Sequence, residues 1–256
     1  MTRGFLVPHV PFLLPELGGN KLRPFINDFC NSINHLREEL ADDPPDFILT
    51  TSPHFMVSTF AVGINRSFQG SLDNFNRPDL VDIRKSKENI AEQIQKNAED
   101  IGFIAERTNE TISTIDYGTV VALKLLDPTG KIPIIPVSTS LGTKKEHLLW
   151  GARLFDIVND MTDNAMMLAT TELTQDFQEI PNAYPSEREQ DEAFLDHLIK
   201  HRDHQMLNMN ENYYQKTENS LKPVFTLSGF VKPLTGYLLN YSGIIGCGCA
   251  IVKFEG

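Results

Sequence analysis

The chain has 256 residues, of which 41% are hydrophobic and 22% charged, and its formal net charge is -11 at pH 7. This balance is typical of a globular protein with a substantial core, and the acidity disfavours nucleic acid as a partner, because such binding depends on Lys and Arg. The apolar runs are far shorter than the ~20 residues that span a bilayer, so no membrane-spanning helix is expected.

The cysteines and the amino terminus bear on the cellular compartment. Cys30, Cys247 and Cys249 are too few, and odd in number, to form a disulfide framework. The first residues lack the uninterrupted apolar segment of a secretory signal peptide. We therefore expect a protein of the reducing cytoplasm.

Two predicted strands near the start of the chain each end in a proline and a histidine. Residues 5–7 form an apolar run that stops at Pro8 and is followed by His9. Residues 22–40 carry apolar side chains at a helical period, and the next apolar run, residues 47–51, is followed by Pro53 and His54. This βαβ pattern predicts two parallel, adjacent strands with both histidines at one edge of the sheet. Because imidazole is the commonest metal-binding side chain, we expect the two histidines to share a metal ion.

The next segment is predicted from shorter patterns. Residues 55–64 alternate loosely and indicate a strand, whereas residues 66–78 are polar and indicate a loop. That loop is either plain surface or a flap over the site. A polar helix over residues 86–100 and a short strand over residues 103–105 are expected to follow.

A polar turn precedes the next apolar helix, which runs to residue 126. The turn contains Asp116, Tyr117, Gly118 and Thr119. Gly118 is expected to permit a tight turn, and Thr119 to cap the helix. Asp116 and Tyr117 either line a pocket or belong to a capping turn alone.

The second half of the chain predicts further elements of the same α/β pattern. We expect a strand over residues 131–138, at a sheet edge or bulge because of its prolines, and a core strand with a polar end over residues 165–171. Two long helices are expected over residues 144–161 and 189–206, and a polar helix over residues 208–220. An apolar segment over residues 221–231 and two final strands over residues 235–243 and 247–254 follow. Together the elements predict a single α/β domain over residues 1–256, with a mixed central sheet and helices on both faces.

Three further histidines lie on the predicted helix over residues 189–206. His197 and His201 have the i, i+4 spacing of metal ligands, but the glutamate of an HExxH motif is absent. We interpret these two and His204 as part of a solvated helix face.

Five segments, in order and spacing, resemble the class III extradiol ring-cleavage dioxygenase superfamily. They are residues 7–19 (VPHVPFLLPELGG), 52–54 (SPH), 115–123 (IDYGTVVAL), 168–175 (LATTELTQ) and 239–243 (LNYSG). The likeness is to its stand-alone proteins of the LigB catalytic type and, more distantly, to the Memo proteins. It implies a non-haem Fe(II) site formed by two histidines and a glutamate, with His9 and His54 as the histidines.

Three positions of this chain differ from the pattern of that superfamily. Ser242 stands where the family has its glutamate ligand, and Gln175 where it has its acid–base histidine. Tyr117 replaces a further histidine, as it does in some ring-cleaving members. Serine brings no charge to offset Fe(II), and glutamine cannot transfer a proton near neutral pH, so help typically worth 10²–10⁴-fold would be lost.

Cys247 offers a replacement for the missing ligand. In Memo proteins a cysteine lies six residues after a tyrosine of the corresponding strand, and Cys247 lies six after Tyr241. A site of His9, His54 and Cys247 would favour zinc, copper or iron. The alternative is that Cys247 is a small buried strand residue. Glu172 and Asp116 are the nearby carboxylates that could otherwise contribute.

Three functions are therefore open from the sequence. One is an O2-dependent ring cleavage of a catechol- or aminophenol-like aromatic, using Fe(II). Another is a catalytically degenerate member, without a metal, that acts as a pseudoenzyme or partner subunit. The third is a Memo-like metal- or peptide-binding protein with zinc or copper. A homo-oligomer or a complex with a second type of chain is expected from the resemblance.

Overall fold

A computed structural model describes residues 2–100, 105–107, 114–161, 164–217 and 219–256. In these ranges the strands are β1 (Arg3–Val7), β2 (Phe47–Thr51), β3 (Met56–Val57), β4 (Phe60–Val62), β5 (Ser67–Leu72), β6 (Arg77–Lys85), β7 (Ala105–Arg107), β8 (Ile134–Pro136), β9 (Thr139–Ser140), β10 (Ala165–Thr170), β11 (Thr235–Ile244) and β12 (Cys247–Glu255). The α-helices are α1 (Gly19–Leu22), α2 (Asn27–Asp42), α3 (Glu88–Asp100), α4 (Tyr117–Leu126), α5 (Lys144–Asn159), α6 (Arg188–Ile199), α7 (Asp203–Leu207), α8 (Glu211–Thr217) and α9 (Lys222–Phe230). None of the helices in the described ranges combines the length and apolarity of a membrane span.

A six-stranded mixed sheet in the order β11-β12-β1-β10-β2-β8 forms the centre of the fold. Strands β1, β10, β2 and β8 are parallel, and β12 and β11 add antiparallel pairs beyond β1. The predicted α/β fold, the mixed sheet and the edge position of the proline-containing strand β8 are confirmed. The two strands that precede the histidines are parallel, as predicted, but they are not adjacent, because β10 lies between them.

Helices cover both faces of the sheet, as predicted. Phe5 of β1 packs in a core with Phe29 of α2 and Val121 of α4. Its neighbour Leu6 belongs to a second core with Leu154 of α5 and Phe225 of α9. Since successive strand residues point to opposite faces, this alternation places α2 and α4 on one side and α5 and α9 on the other. Every residue of β1 is buried.

The polar segment predicted as a loop over residues 66–78 is instead a β-hairpin of β5 and β6. Phe68, Gly70 and Leu72 are buried on alternate positions of β5, a period-two pattern that the polar residues between them obscured. The turn contains Asn76 in the left-handed region, with φ 56°, a conformation that Asn tolerates better than most residues.

A buried ion-pair network attaches this hairpin to the end of α4. Arg84 of β6 is fully buried and forms salt bridges with Asp82 and with Asp127, which follows α4. Its guanidinium also donates to the carbonyl oxygen of Asp127 at 2.7 Å. The hairpin is thereby held against the helix that begins with Tyr117.

Several predicted elements are shorter than expected. The helix predicted over residues 22–40 begins at Asn27, because α1 and a 3-10 turn at Arg23–Phe25 precede it. The strand predicted over residues 55–64 consists of two short pieces, β3 and β4. Of the short strand predicted over residues 103–105, Phe103 and Ile104 lie outside the described residues, and β7 begins at Ala105.

The helix predicted over residues 189–206 is interrupted at His201, which adopts φ 51°. His201 is half-buried; its Nε2 lies 2.6 Å from the carbonyl oxygen of Leu234, and its ring packs beside Phe254. The prediction of a solvated face is therefore wrong for His201 and holds for the exposed His204, whereas His197 is half-buried.

Candidate metal centre

His9 and His54 meet at the carboxyl edge of the parallel strands. Their Nε2 atoms are 3.0 Å apart, and the ring planes are inclined by 74°. His9 follows β1 and is 3% exposed, whereas His54 follows β2 and remains open to solvent. The predicted convergence of the two histidines is thus present, although β10 separates their strands.

Glu172 completes this group from the end of β10. Its Oε2 atom lies 3.1 Å from Nε2 of His9, and its Oε1 atom accepts the backbone N–H of His9 at 2.9 Å. Glu172 is 4% exposed. Nδ1 of His9 lies 3.2 Å from the hydroxyl of Thr170, the last residue of β10. Strand β10 therefore positions His9 through both its side chain and its backbone.

The chemistry of these donors fits a non-haem metal ion. Two donors bound ~2.1 Å from one ion at about right angles lie roughly 3 Å apart, which matches the separations of His9 from His54 and from Glu172. Two imidazoles and one carboxylate are the donor set of Fe(II) oxygenases. In the described ranges no group of three or more His, Cys, Asp or Glu side chains could hold a metal ion as it stands, so only the donor types and the two separations from His9 support this fit.

Desolvation and neighbouring charges set the protonation of the rings around this point. Partial burial of its ring, followed by the nearby His9 imidazole, lowers the pKa of the otherwise exposed His54, against the opposing effect of Asp116 and Glu172. Tyr117 packs over His54 with ring centroids 4.3 Å apart. Burial, followed by the charges of Glu172 and Asp116, raises the pKa of Tyr117 to about 12. The phenol therefore stays protonated at neutral pH and can donate a hydrogen bond.

Asp116 is the N-cap of α4, so the expected capping turn is present and Asp116, rather than Thr119, is its cap. Asp116 accepts from the backbone N–H and the hydroxyl of Thr119 at 3.0 and 2.8 Å. It also accepts from the hydroxyl of Ser52 at 2.7 Å, and that hydroxyl accepts the backbone N–H of His54. The carboxylate thereby connects α4 to the segment that carries His54.

Gly118 is closely packed at this turn and does not adopt an unusual backbone angle. A Cβ atom there would lie 3.0 Å from the His54 ring, from the Ser52 hydroxyl and from Asp116. We expect Gly118→Ala to displace His54 and to weaken metal binding by about tenfold, comparable to loss of an outer-shell partner. Metal titration with circular dichroism of the same sample checks this, and unchanged affinity in a folded variant would contradict the assigned packing.

Gln175, which the family resemblance aligns with the acid–base histidine, is exposed and lies beside Glu172. Its Nε2 donates to Oε2 of Glu172 at 3.3 Å. The amide of Gln175 orients the Glu172 carboxylate but neither gains nor loses a proton near neutral pH. It is thus a second contact that holds the Glu172 side chain.

Cys247 and Ser242 have different surroundings. Cys247 is buried at the start of β12 and forms a backbone bridge with Gln175. Burial, with the charge of Glu172, raises the pKa of its thiol to about 12. Ser242 is half-buried on β11, opposite Cys249, and its hydroxyl donates to the side-chain oxygen of Asn240 at 2.8 Å. Among the described residues, the Ser242 hydroxyl forms no hydrogen bond with His9 or His54.

A cavity of about 480 Å³ adjoins Tyr117 beneath the β5–β6 hairpin. Its polar wall comes from Gln69, Ser71, Asp73 and Asn74, and its other side from Asp116 and Tyr117. Phe75, in the hairpin turn, contacts the Tyr117 ring with centroids 5.2 Å apart. The hairpin therefore borders the candidate centre, in the place considered for a flap.

Comparison with known proteins gives one family and a related fold. A family model described as the catalytic LigB subunit of aromatic ring-opening dioxygenase matches residues 3–251. The crystal structure of uncharacterized protein JW3007 from Escherichia coli K12 is similar to this chain, with a TM-score of 0.68 and 13% sequence identity over 100% of both chains. At this identity the structural likeness shows a shared fold alone.

Proposed function

The chain belongs to the family of catalytic LigB subunits of aromatic ring-opening dioxygenases, and we propose that it cleaves a catechol- or aminophenol-like ring with O2 at a ferrous centre. The observation that carries this proposal is the convergence of His9, His54 and Glu172, with separations of 3.0 and 3.1 Å. This donor set keeps the family's two histidines and supplies a carboxylate from β10 in place of the one absent at Ser242.

His9, His54 and Glu172 would hold the ion, and their one negative charge offsets part of its charge. When bound, Fe(II) would supply open coordination positions and the redox chemistry that O2 and an electron-rich ring require. The buried position of His9 and Glu172 limits water at the centre and strengthens the interaction of the carboxylate with a cation.

Tyr117 and Gln175 would act on the substrate side of this centre. The protonated phenol of Tyr117 can donate a hydrogen bond to a ring oxygen, because its pKa of about 12 keeps the proton in place. Gln175 holds Glu172 but cannot relay a proton. We therefore expect slow turnover, and Gln175→His should raise kcat by a factor within the 10²–10⁴ range of general acid–base catalysis.

The test is O2 consumption by protein loaded anaerobically with Fe(II) and given catechol, protocatechuate or 2-aminophenol. We expect uptake with at least one ortho compound, none with the meta isomer resorcinol, and both atoms of ¹⁸O2 in the ring-opened product. His54→Ala, loaded in the same way, is the matched control and should be inactive. No uptake with any ortho compound, by folded protein shown to contain iron, would overturn the proposal.

A catalytically degenerate member is the second candidate function, and the amide at position 175 favours it. In this case iron-loaded wild type would be inert, and the double variant Gln175→His with Ser242→Glu would gain metal affinity or activity. Activity of the wild type in the O2 assay would exclude this candidate.

A further inference from the structure

Two adjoining cavities lie between α2 and α4, and none of their lining residues belongs to the candidate metal centre. Their volumes are about 420 and 270 Å³. Arg37 and Pro128 line both cavities, so the two cavities adjoin at these residues, and together they are called the groove. The larger cavity is within the size range of small-molecule sites.

The larger cavity is mostly apolar. Its wall is formed by the end of α2, the two prolines that follow it, the end of α4 and the start of β8: Leu40, Pro44, Pro45, Leu126, Ile132 and Pro133. Asp127, Thr129 and the exposed Lys131 also line it, and the Asp127 carboxylate is engaged by Arg84 and Thr129. The chamber therefore suits a hydrocarbon or aromatic body.

The smaller cavity is basic in a chain whose net charge is -11. Arg23, Arg37 and Lys124 line it, against the single carboxylate of Glu16. Within the described ranges none of these three cations forms a salt bridge with a carboxylate. The Nε of Arg37 donates to the carbonyl oxygen of Leu125 at 2.8 Å, which fixes the side chain and leaves its terminal N–H groups for a ligand.

The half-buried Cys30 also lines this cavity. Burial raises the pKa of Cys30, whereas Arg23 and Arg37 act in the opposite direction. The three cations come from separate segments: the 3-10 turn before α2, α2 itself and α4. Their convergence on one concavity distinguishes them from isolated surface charges.

We propose that this groove binds a small amphipathic organic acid, with its apolar body in the larger chamber and its anionic head among Arg23, Arg37 and Lys124. A carboxylate or a phosphate monoester supplies the required head, because both accept charge-assisted hydrogen bonds from guanidinium and ammonium groups. The groove is lined on one side by residues 13–16, in the two 3-10 turns that follow His9. The proposal does not depend on the metal centre.

The experiment is isothermal titration of the full chain with octanoate and with octyl phosphate at low salt, since salt weakens exposed charge interactions. Octanol and acetate are the comparison ligands, because each lacks one half of the proposed ligand. We expect saturable binding of at least one amphipathic acid and far weaker binding of octanol and acetate. The preferred head group distinguishes a carboxylate from a phosphate ligand.

Variants test the two chambers separately. Lys124→Gln and Arg23→Gln should each weaken binding about tenfold through loss of a charge-assisted contact, and Ala41→Trp should block the apolar chamber. Arg153→Gln, which removes an exposed cation elsewhere, should leave the affinity unchanged. No binding of either acid, acetate binding as tight as octanoate, or equal affinity in all the variants would overturn the proposal.

Discussion

Glu172→Gln is expected to lower Fe(II) affinity by about 100-fold or more and to abolish O2 uptake. The amide has nearly the same size as the carboxylate and keeps an oxygen that can accept the backbone N–H of His9. In the native protein this N–H lies 2.9 Å from Oε1 of Glu172. The substitution removes the negative charge that faces His9 Nε2 at 3.1 Å. Loss of a ligand charge should exceed the 10–100-fold cost typical of outer-shell changes. Anaerobic competition with a chelator measures this affinity.

Asp116→Asn is the matched control for that experiment. Asp116 is the other carboxylate near the histidines, but its oxygens are occupied by Ser52 and Thr119. We expect its replacement to cost about 1 kcal/mol of stability through the weakened helix cap and to lower Fe(II) affinity by only about tenfold, because Asp116 acts on His54 through Ser52 and not as a ligand. The reverse result, with affinity lost in Asp116→Asn and retained in Glu172→Gln, would show that the wrong carboxylate has been assigned.

Arg84→Met is expected to destabilise the fold by about 3–5 kcal/mol, the range for breaking a buried ion pair. The substitution leaves Asp82 and Asp127, which are 6% and 7% exposed, without their cation. Urea unfolding followed by circular dichroism gives the free energy. Arg66→Met is the control, because Arg66 is 89% exposed and pairs with Glu88 at the surface, where ion pairs contribute ~0–1 kcal/mol. A cost for Arg84→Met no larger than that of the control would contradict the assigned role.

The ion pair of Arg84 with Asp127 should also make the free energy of unfolding depend on pH. Burial acts to raise the pKa of Asp127, but hydrogen bonds from Ile132 and Thr129 and the charge of Arg84 outweigh it and leave that pKa lowered. A carboxyl group with a lowered folded-state pKa stabilises the protein above its unfolded pKa of ~4. That stabilisation is lost as the pH falls through the folded-state value. Arg84→Met should flatten this acid-side decline.

The sequence was sufficient for the α/β fold and for the pairing of His9 with His54, because both follow apolar runs that end in proline. It was not sufficient for the role of Glu172. The residue was recognised as a nearby carboxylate, but its contact with His9 depends on β10 lying between β1 and β2. That placement joins segments more than a hundred residues apart, as in the backbone contact of His9 with Glu172, and no local pattern records it.

Two other features of the fold have no clear signal in the sequence. The β5–β6 hairpin is hidden because polar side chains lie between the inward-facing Phe68, Gly70 and Leu72. No glycine or proline marks the helix break at His201, whose ring hydrogen-bonds the carbonyl oxygen of Leu234. The Asp116 side chain accepts the backbone N–H of Thr119 at the amino end of α4, so Asp116 is the N-cap and Thr119 is not.

The most direct measurement is the metal content of the chain after anaerobic loading with Fe(II), desalting and elemental analysis. Wild type, His9→Ala and Cys247→Ala are compared, with folding checked for each. The proposed centre requires about one equivalent of iron in wild type and in Cys247→Ala, and almost none in His9→Ala. Wild type without iron, or iron retained in His9→Ala, would contradict a metal centre at His9, His54 and Glu172, and iron lost in Cys247→Ala would assign the thiol as a ligand instead.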